Sequence, residues 1–213
     1  MESNRISISF VGVYESPIPF IPQLDNKFCR DLFGRPYETT NGLTPEGYAI
    51  SLANRPYPLV LINPAKIIFK ASNDTDLEEY VNAFSSYISK NPDKLPIKKF
   101  SAFGINYELE YLKLGKRADL WMWQHFVRAD IKTPNEFHAL NHLKFTLGVN
   151  EREALNFEIE PRAGVEDGIF VSCNHHHQIP MDGLPQKEEL QSIIQKSQEC
   201  LDEVLNKNIL EDE

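Results

Sequence analysis

Three of the six histidines stand side by side as His175, His176 and His177, with Cys173 just before them and Asp182 shortly after. Imidazole, thiolate and carboxylate are zinc-type ligands, and a metal-dependent hydrolase holds its ion with about three of them. Spacing limits which of these can meet. Ile169, Val171, Cys173, His175, His177 and Ile179 alternate with more polar residues and predict a strand, whose successive side chains point to opposite faces. His175 and His177 therefore share a face, and His176 points away. They are the candidate metal ligands, with Asp182 and the distant His142 to complete the set. The competing reading is that histidines ending a strand hydrogen-bond to loop backbone, because no recognised ligand motif surrounds the cluster.

His138 and His142 lie four apart. On a helix they could share an ion; on a strand they would be roughly 13 Å apart. Thr133, Pro134 and Glu136 form a helix-start signal that favours a short helix ending near Asn141. Cys173 as a thiolate nucleophile needs a depressed pKa, and a strand cysteine on an apolar face is more commonly an inert core residue. Glu108 with Glu110, and Glu158 with Glu160, are carboxylate pairs of the kind used in acid/base chemistry, although a solvated sheet face explains them more simply. Lysines from Lys94 to Lys116, with Arg117, interleave with Phe100, Phe103, Tyr107 and Tyr111. That pattern suits single-stranded nucleic acid, but the aromatics keep strand register towards a core. Trp121, Met122 and Trp123 read as a buried helix rather than a cofactor site. Dinucleotide-binding, phosphate-loop, nucleophile-elbow and His-Glu-x-x-His patterns are all missing from the sequence. No cofactor is expected.

The elements that must position these residues are strands and helices in alternation. Ile6, Ile8 and Phe10, followed by Val11 and Val13, predict an opening strand that changes phase near Gly12. From Glu15 to Glu46, repeated Pro and Gly forbid long regular elements, while Leu24, Phe28 and Leu32 recur at helical spacing. Strands follow over Tyr48 to Ala53 and over Leu59 to Phe69, the latter broken at Asn63-Pro64. Thr75 and Glu78 form a capping box for a helix lined by Leu77, Val81, Phe84 and Ile88. A strand around Phe103 to Tyr111, a helix over Lys116 to Arg128, and strands at Leu143 to Val149, Ala154 to Glu160 and Ile169 to Ile179 come next. An amphipathic helix from Gln186 to Asn206 closes the chain, with Leu190, Ile193, Ile194, Leu201, Val204 and Leu205 as its stripe.

This order predicts an α+β fold of antiparallel sheet with packed helices. It admits two related βββα halves, 1–92 with the Pro-rich insertion and 93–213 with a bridging strand and helix, or one domain over 1–213. The layout resembles that of a sporadically distributed family of uncharacterised bacterial proteins, slightly longer than this chain. The resemblance rests on Pro17-x-Pro19 after the first strand, the strand Gly104-Ile105-Asn106-Tyr107 after a helix and basic linker, and a last strand running through a short loop into a terminal helix. It implies a bacterial source and the fold. The family has no established activity, so function is left open.

Composition narrows the classes. With 41% hydrophobic and 25% charged residues among 213, the chain matches ordinary globular proteins. A net charge of −9 argues against a nucleic-acid partner, since phosphate backbones are bound by Lys and Arg. The N-terminus lacks an apolar signal-peptide core, no apolar run approaches the length needed to cross a bilayer, and Cys29, Cys173 and Cys200 form no metal or disulfide pattern. A cytoplasmic protein without membrane contact is expected. The leading expectation is an interaction or assembly protein without a catalytic centre of its own. It would meet a protein partner or a second copy through 15–46, where Ile18, Phe20, Ile21 and Phe28 are too many large apolar groups for a solvated loop. Docking of that segment on the chain's own core is the competing explanation, and a metal-dependent hydrolase built on His175 and His177 is the alternative function.

Overall fold

Alternating segments of the chain join one sheet whose strands all pair antiparallel. The computed structural model describes residues 2–18, 22–97, 99–127 and 139–205. In chain order the elements are β1 (Glu2–Tyr14), α1 (Asn26–Asp31), β2 (Thr39–Thr44), β3 (Gly47–Leu52), β4 (Leu59–Ile62), β5 (Lys66–Ala71), α2 (Asp74–Lys90), β6 (Phe100–Leu112), α3 (Ala118–Phe126), β7 (Leu143–Asn150), β8 (Glu153–Pro161), β9 (Ile169–His177) and α4 (Lys187–Val204). Their spatial order is β2-β3-β4-β5-β1-β6-β9-β8-β7. The α+β architecture with packed helices expected from the sequence is the observed one. β1 and β6 form the central pair, and the helix after β5 corresponds in order to the helix after β9, without a residue-level repeat.

Strand pairing aligns Phe10, Phe69, Ile105, Tyr107, Cys173 and Phe157 on one face, and all are buried. α2 and α4 pack on that face against each other. Their apolar residues recur every three or four positions, Leu77, Val81, Phe84 and Ile88 in one and Leu190, Ile194 and Leu201 in the other, so each presents a single stripe to the sheet. Tyr107 donates its hydroxyl to the backbone oxygen of Ile194 at 3.2 Å, a buried polar link between sheet and α4.

Three local expectations change. β1 shifts phase at Ile6, between Arg5 and Ser7, and not near Gly12; Gly12 faces the core, where a Cβ would come within 2.5 Å of the Phe100 ring, and Val11 and Val13 lie on the other face. The segment Leu59 to Phe69 is a hairpin, not one bulged strand: Asn63 Oδ1 accepts from the backbone N–H groups of Ala65 and Lys66, both at 2.9 Å, and turns the chain. α2 is capped by Asn73 rather than Thr75, since Asn73 Oδ1 reaches the Asp76 N–H at 2.9 Å two residues earlier. The helix signalled by Thr133, with His138, lies outside the described residues.

The Pro-rich segment is held by its own domain. Ile18, Leu24, Cys29, Leu32 and Phe33 are buried in the common core. Phe28 stacks on Tyr87 with ring centroids 3.8 Å apart and meets Phe84 edge-on at 5.6 Å. The Ile18 N–H donates to the Pro64 oxygen and the Gln23 N–H to the Lys94 oxygen. Ile18 and Phe28 are thus turned inward; Phe20 and Ile21 lie outside the described residues. Among the described residues, no helix is long and apolar enough to cross a membrane.

Candidate functional site

Alternation sends His175 and His177 inward on β9, and strand register decides their neighbours. His177 sits between Phe103 of β6 and Glu153 of β8, while His175 sits between Ile105 and Leu155. His176 takes the opposite face beside Gly104 and Ala154. Glu153 continues the inward series Leu155, Phe157 and Ile159 by one step, so a carboxylate lands on the core face. Glu153, His175 and His177 are 7%, 0% and 3% exposed, and their ligand-type atoms lie within 4.8 Å of one another.

α4 covers the cluster. Ser197 occupies the buried stripe between Ile194 and Leu201, and its Oγ shares a 2.9 Å hydrogen bond with His175 Nδ1. Lys196, one residue earlier, reaches from an exposed position to place Nζ 2.7 and 2.9 Å from the two oxygens of Glu153. His177 Nδ1 lies 3.5 Å from Glu153 Oε1, and its ring stacks on Phe103 at 4.6 Å. His175 Nε2 and His177 Nε2 are buried with no hydrogen-bond partner among the described residues.

The electrostatics follow from burial and from Lys196. The hydrogen bond from Lys196 holds the Glu153 carboxyl below its ordinary range despite the cost of desolvation. Desolvation, assisted by the charge on neighbouring His177, lowers His175 to about 4. His177 is lowered too, chiefly by burial, with Glu153 opposing. Both rings are therefore neutral at pH 7, the state in which imidazole binds metals. Cys173 is pushed up to about 12 by burial, which makes it a core thiol and not a nucleophile.

Two members of the expected ligand set are elsewhere. Asp182 is 87% exposed at its side chain and pairs with Lys99 at 3.7 Å, because β9 has ended at His177 and the antiparallel bridge of Met181 to Phe100 sets Asp182 beside Lys99. His142 lies just before β7 and bonds through Nε2 to Glu158 Oε1 at 2.8 Å, on the open face of the sheet. Glu153 takes the place assigned to them. Three of the four paired carboxylates are partly buried on the open face and each meets a cation: Glu108 pairs with Lys70, Glu110 with Arg162, and Glu158 with Lys144.

The sheet edge beyond this cluster has its own character. β7 pairs with β8 and has no strand on its other side among the described residues. Its core-facing residues are Leu143, Phe145 and Leu147, and Val149 lies in a bulge between Gly148 and Asn150; Leu147 is 39% and Val149 41% exposed. Lys144 is the lone charged side chain of the strand.

No protein-family model matches this chain, and no curated protein matches it.

Proposed function

We propose that the protein acts as an intracellular interaction or assembly protein without a catalytic centre of its own, and that it joins a second copy through β7. The observation that carries this reading is an edge strand with no further strand beside it among the described residues and with the apolar side chains Leu147 and Val149 exposed. Such strands present unpaired N–H and C=O groups as a template for another strand, and proteins that stay monomeric blunt them with inward charge, proline or bulges. From Leu143 to Gly148, β7 has no proline, no bulge and no charge on its core-facing side, and its one bulge falls at Val149 near the strand's end.

The sequence of β7 favours its own copy as the partner. Antiparallel pairing about Thr146 sets Phe145 opposite Leu147, a favourable cross-strand pair on each side of the axis. Lys144 then faces Gly148, so no like charges meet. A two-fold contact of this kind is isologous and closed, which limits assembly to a dimer. One strand pair is a small interface, so an affinity on the order of micromolar is expected. The hydrolase reading has less support, because the three ligand-type side chains are closed off from any substrate by burial. An intracellular setting fits three cysteines that are all free thiols.

Sedimentation velocity over a concentration series tests the reading. Wild type should pass from monomer to dimer, and Leu147→Lys with Val149→Lys should stay monomeric at an unchanged thermal midpoint, since both side chains are already partly in water. A wild type that remains monomeric up to its solubility limit refutes it.

A further inference from the structure

We propose that Glu153, His175 and His177 form a closed binding site for one divalent transition ion of the zinc type. The three groups converge within 4.8 Å, and an ion at about 2.0 to 2.2 Å from nitrogen and oxygen ligands draws them together with side-chain shifts alone. Two imidazoles with one carboxylate suit zinc and its first-row neighbours, whereas calcium and magnesium favour oxygen ligands throughout.

The second observation is the pair of orphaned atoms. Buried polar atoms nearly always have a hydrogen-bond partner, yet His175 Nε2 and His177 Nε2 have none among the described residues. In the tautomer that donates from Nδ1 to Ser197 Oγ, His175 presents the Nε2 lone pair for an ion. Metal-bound histidines are characteristically oriented by such an outer hydrogen bond on the other nitrogen. Phe103, stacked on His177, fixes the second ring. Rings already held in place lose little freedom when an ion binds.

Lys196 is the resident counter-charge. Its ammonium contacts both oxygens of Glu153, while its side chain remains 57% exposed and free to swing into water. An entering cation replaces it as partner of the carboxylate. Because the ligands come from β8 and β9 while Ser197 and Lys196 come from α4, the bound ion ties that helix to the sheet. Burial of all three ligands leaves no face for a substrate, so the ion contributes stability rather than turnover.

The test uses full-length chain purified without an affinity tag, stripped with a chelator, and titrated with zinc chloride by calorimetry and with cobalt(II) chloride by visible absorption. One ion per chain, the cobalt bands of a four-coordinate site completed by one water, and a thermal midpoint rising with free zinc are expected. Glu153→Gln and His177→Gln should each weaken zinc binding at least about a hundredfold, the upper end of what loss of an outer-shell partner costs. Lys196→Met should tighten it roughly tenfold by removing the competing cation. That surface variant will fold, and a merely structural polar cluster gives no reason for tighter binding. If His177→Gln fails to fold, imidazole nitrogen shifts of the wild type decide: zinc must move His175 and His177 and leave exposed His142 in place. Absence of stoichiometric zinc in the wild type, or affinity unmoved in both Glu153→Gln and Lys196→Met, overturns the proposal.

Discussion

Ser197→Ala isolates the contact that seats α4 over the histidines. Both partners of the His175–Ser197 hydrogen bond are 0% exposed, so bulk water cannot replace the lost hydroxyl. His175 Nε2 has no partner to begin with, and the variant leaves the ring satisfied at neither nitrogen. An orphaned buried polar group costs about 1 to 3 kcal/mol. The void left by one oxygen atom is small, so this term dominates and about 2 kcal/mol is the expected loss. For a domain of this size each kcal/mol corresponds to about 2 to 4 °C, so the thermal midpoint should fall by roughly 4 to 8 °C.

The assay is thermal and urea unfolding followed by far-ultraviolet circular dichroism in the presence of chelator. The double variant His175→Leu with Ser197→Ala supplies the control. Replacing both partners by apolar groups is close to neutral, whereas removing one is not, so the double variant should be more stable than Ser197→Ala alone. A coupling above about 1 kcal/mol is expected for residues in direct contact. A single variant within about 0.5 kcal/mol of wild type, or strictly additive losses, would refute the assignment of this bond as the seat of α4.

Three further perturbations probe other parts of the fold. Stability of the metal-free chain should fall with acid: burial lowers His175 to about 4 from an ordinary 6.5, so its contribution is complete above 6.5 and lost as pH falls towards 4. The loss from this group at pH 5 is about 2 kcal/mol, and equal urea midpoints at pH 8 and 5 would contradict it. Phe28→Ser should remove about 2 to 4 kcal/mol through loss of packing while leaving the mass in solution unchanged; loss of association at full stability would instead restore the arm-like role for the Pro-rich segment. Gly104→Ala places a Cβ 2.6 Å from Asn174 Nδ2, at a cost of about 1 to 3 kcal/mol, and the added change Asn174→Ala should recover part of it; a single variant as stable as wild type would count against that close approach.

Sequence periodicity carried the sheet, the two packed helices and the inward pair His175 and His177, because all three depend on local alternation. It did not carry Glu153. A strand begun at Ala154 omits it, although one more step back puts a carboxylate in series with Leu155, Phe157 and Ile159, and a charge on a core face is itself a signal. Ser197 was legible in the same way, as the hydroxyl in the stripe Leu190, Ile194, Leu201. Asp182 and His142 illustrate the opposite error. Nearness along the chain suggested Asp182, but the strand ends before it and leaves it beside Lys99 in solvent. Which residue of β8 faces His177 is a matter of long-range register, and no local pattern encodes that.

The register itself has a visible cause on the open face. Ser9, Asn106, Asn174, Asn156 and Thr146 occupy successive strands at one level from β1 to β7. Asn106 Nδ2 donates to Ser9 Oγ at 3.1 Å, Asn174 Nδ2 to Asn106 Oδ1, Asn156 Nδ2 to Asn174 Oδ1 at 3.4 Å, and Thr146 Oγ1 to Asn156 Oδ1 at 2.8 Å. The β8/β9 pairing that sets Asn156 opposite Asn174 also sets Glu153 opposite His177, and the β6/β9 pairing that sets Asn106 opposite Asn174 also sets Phe103 opposite His177. A slip of one residue would turn every side chain to the wrong face, which apolar burial already forbids. A slip of two keeps the faces and is opposed only by side-chain identity. The amide row supplies that identity. On one face of the sheet it selects the alignment that, on the other, brings two imidazoles and a carboxylate together beneath α4.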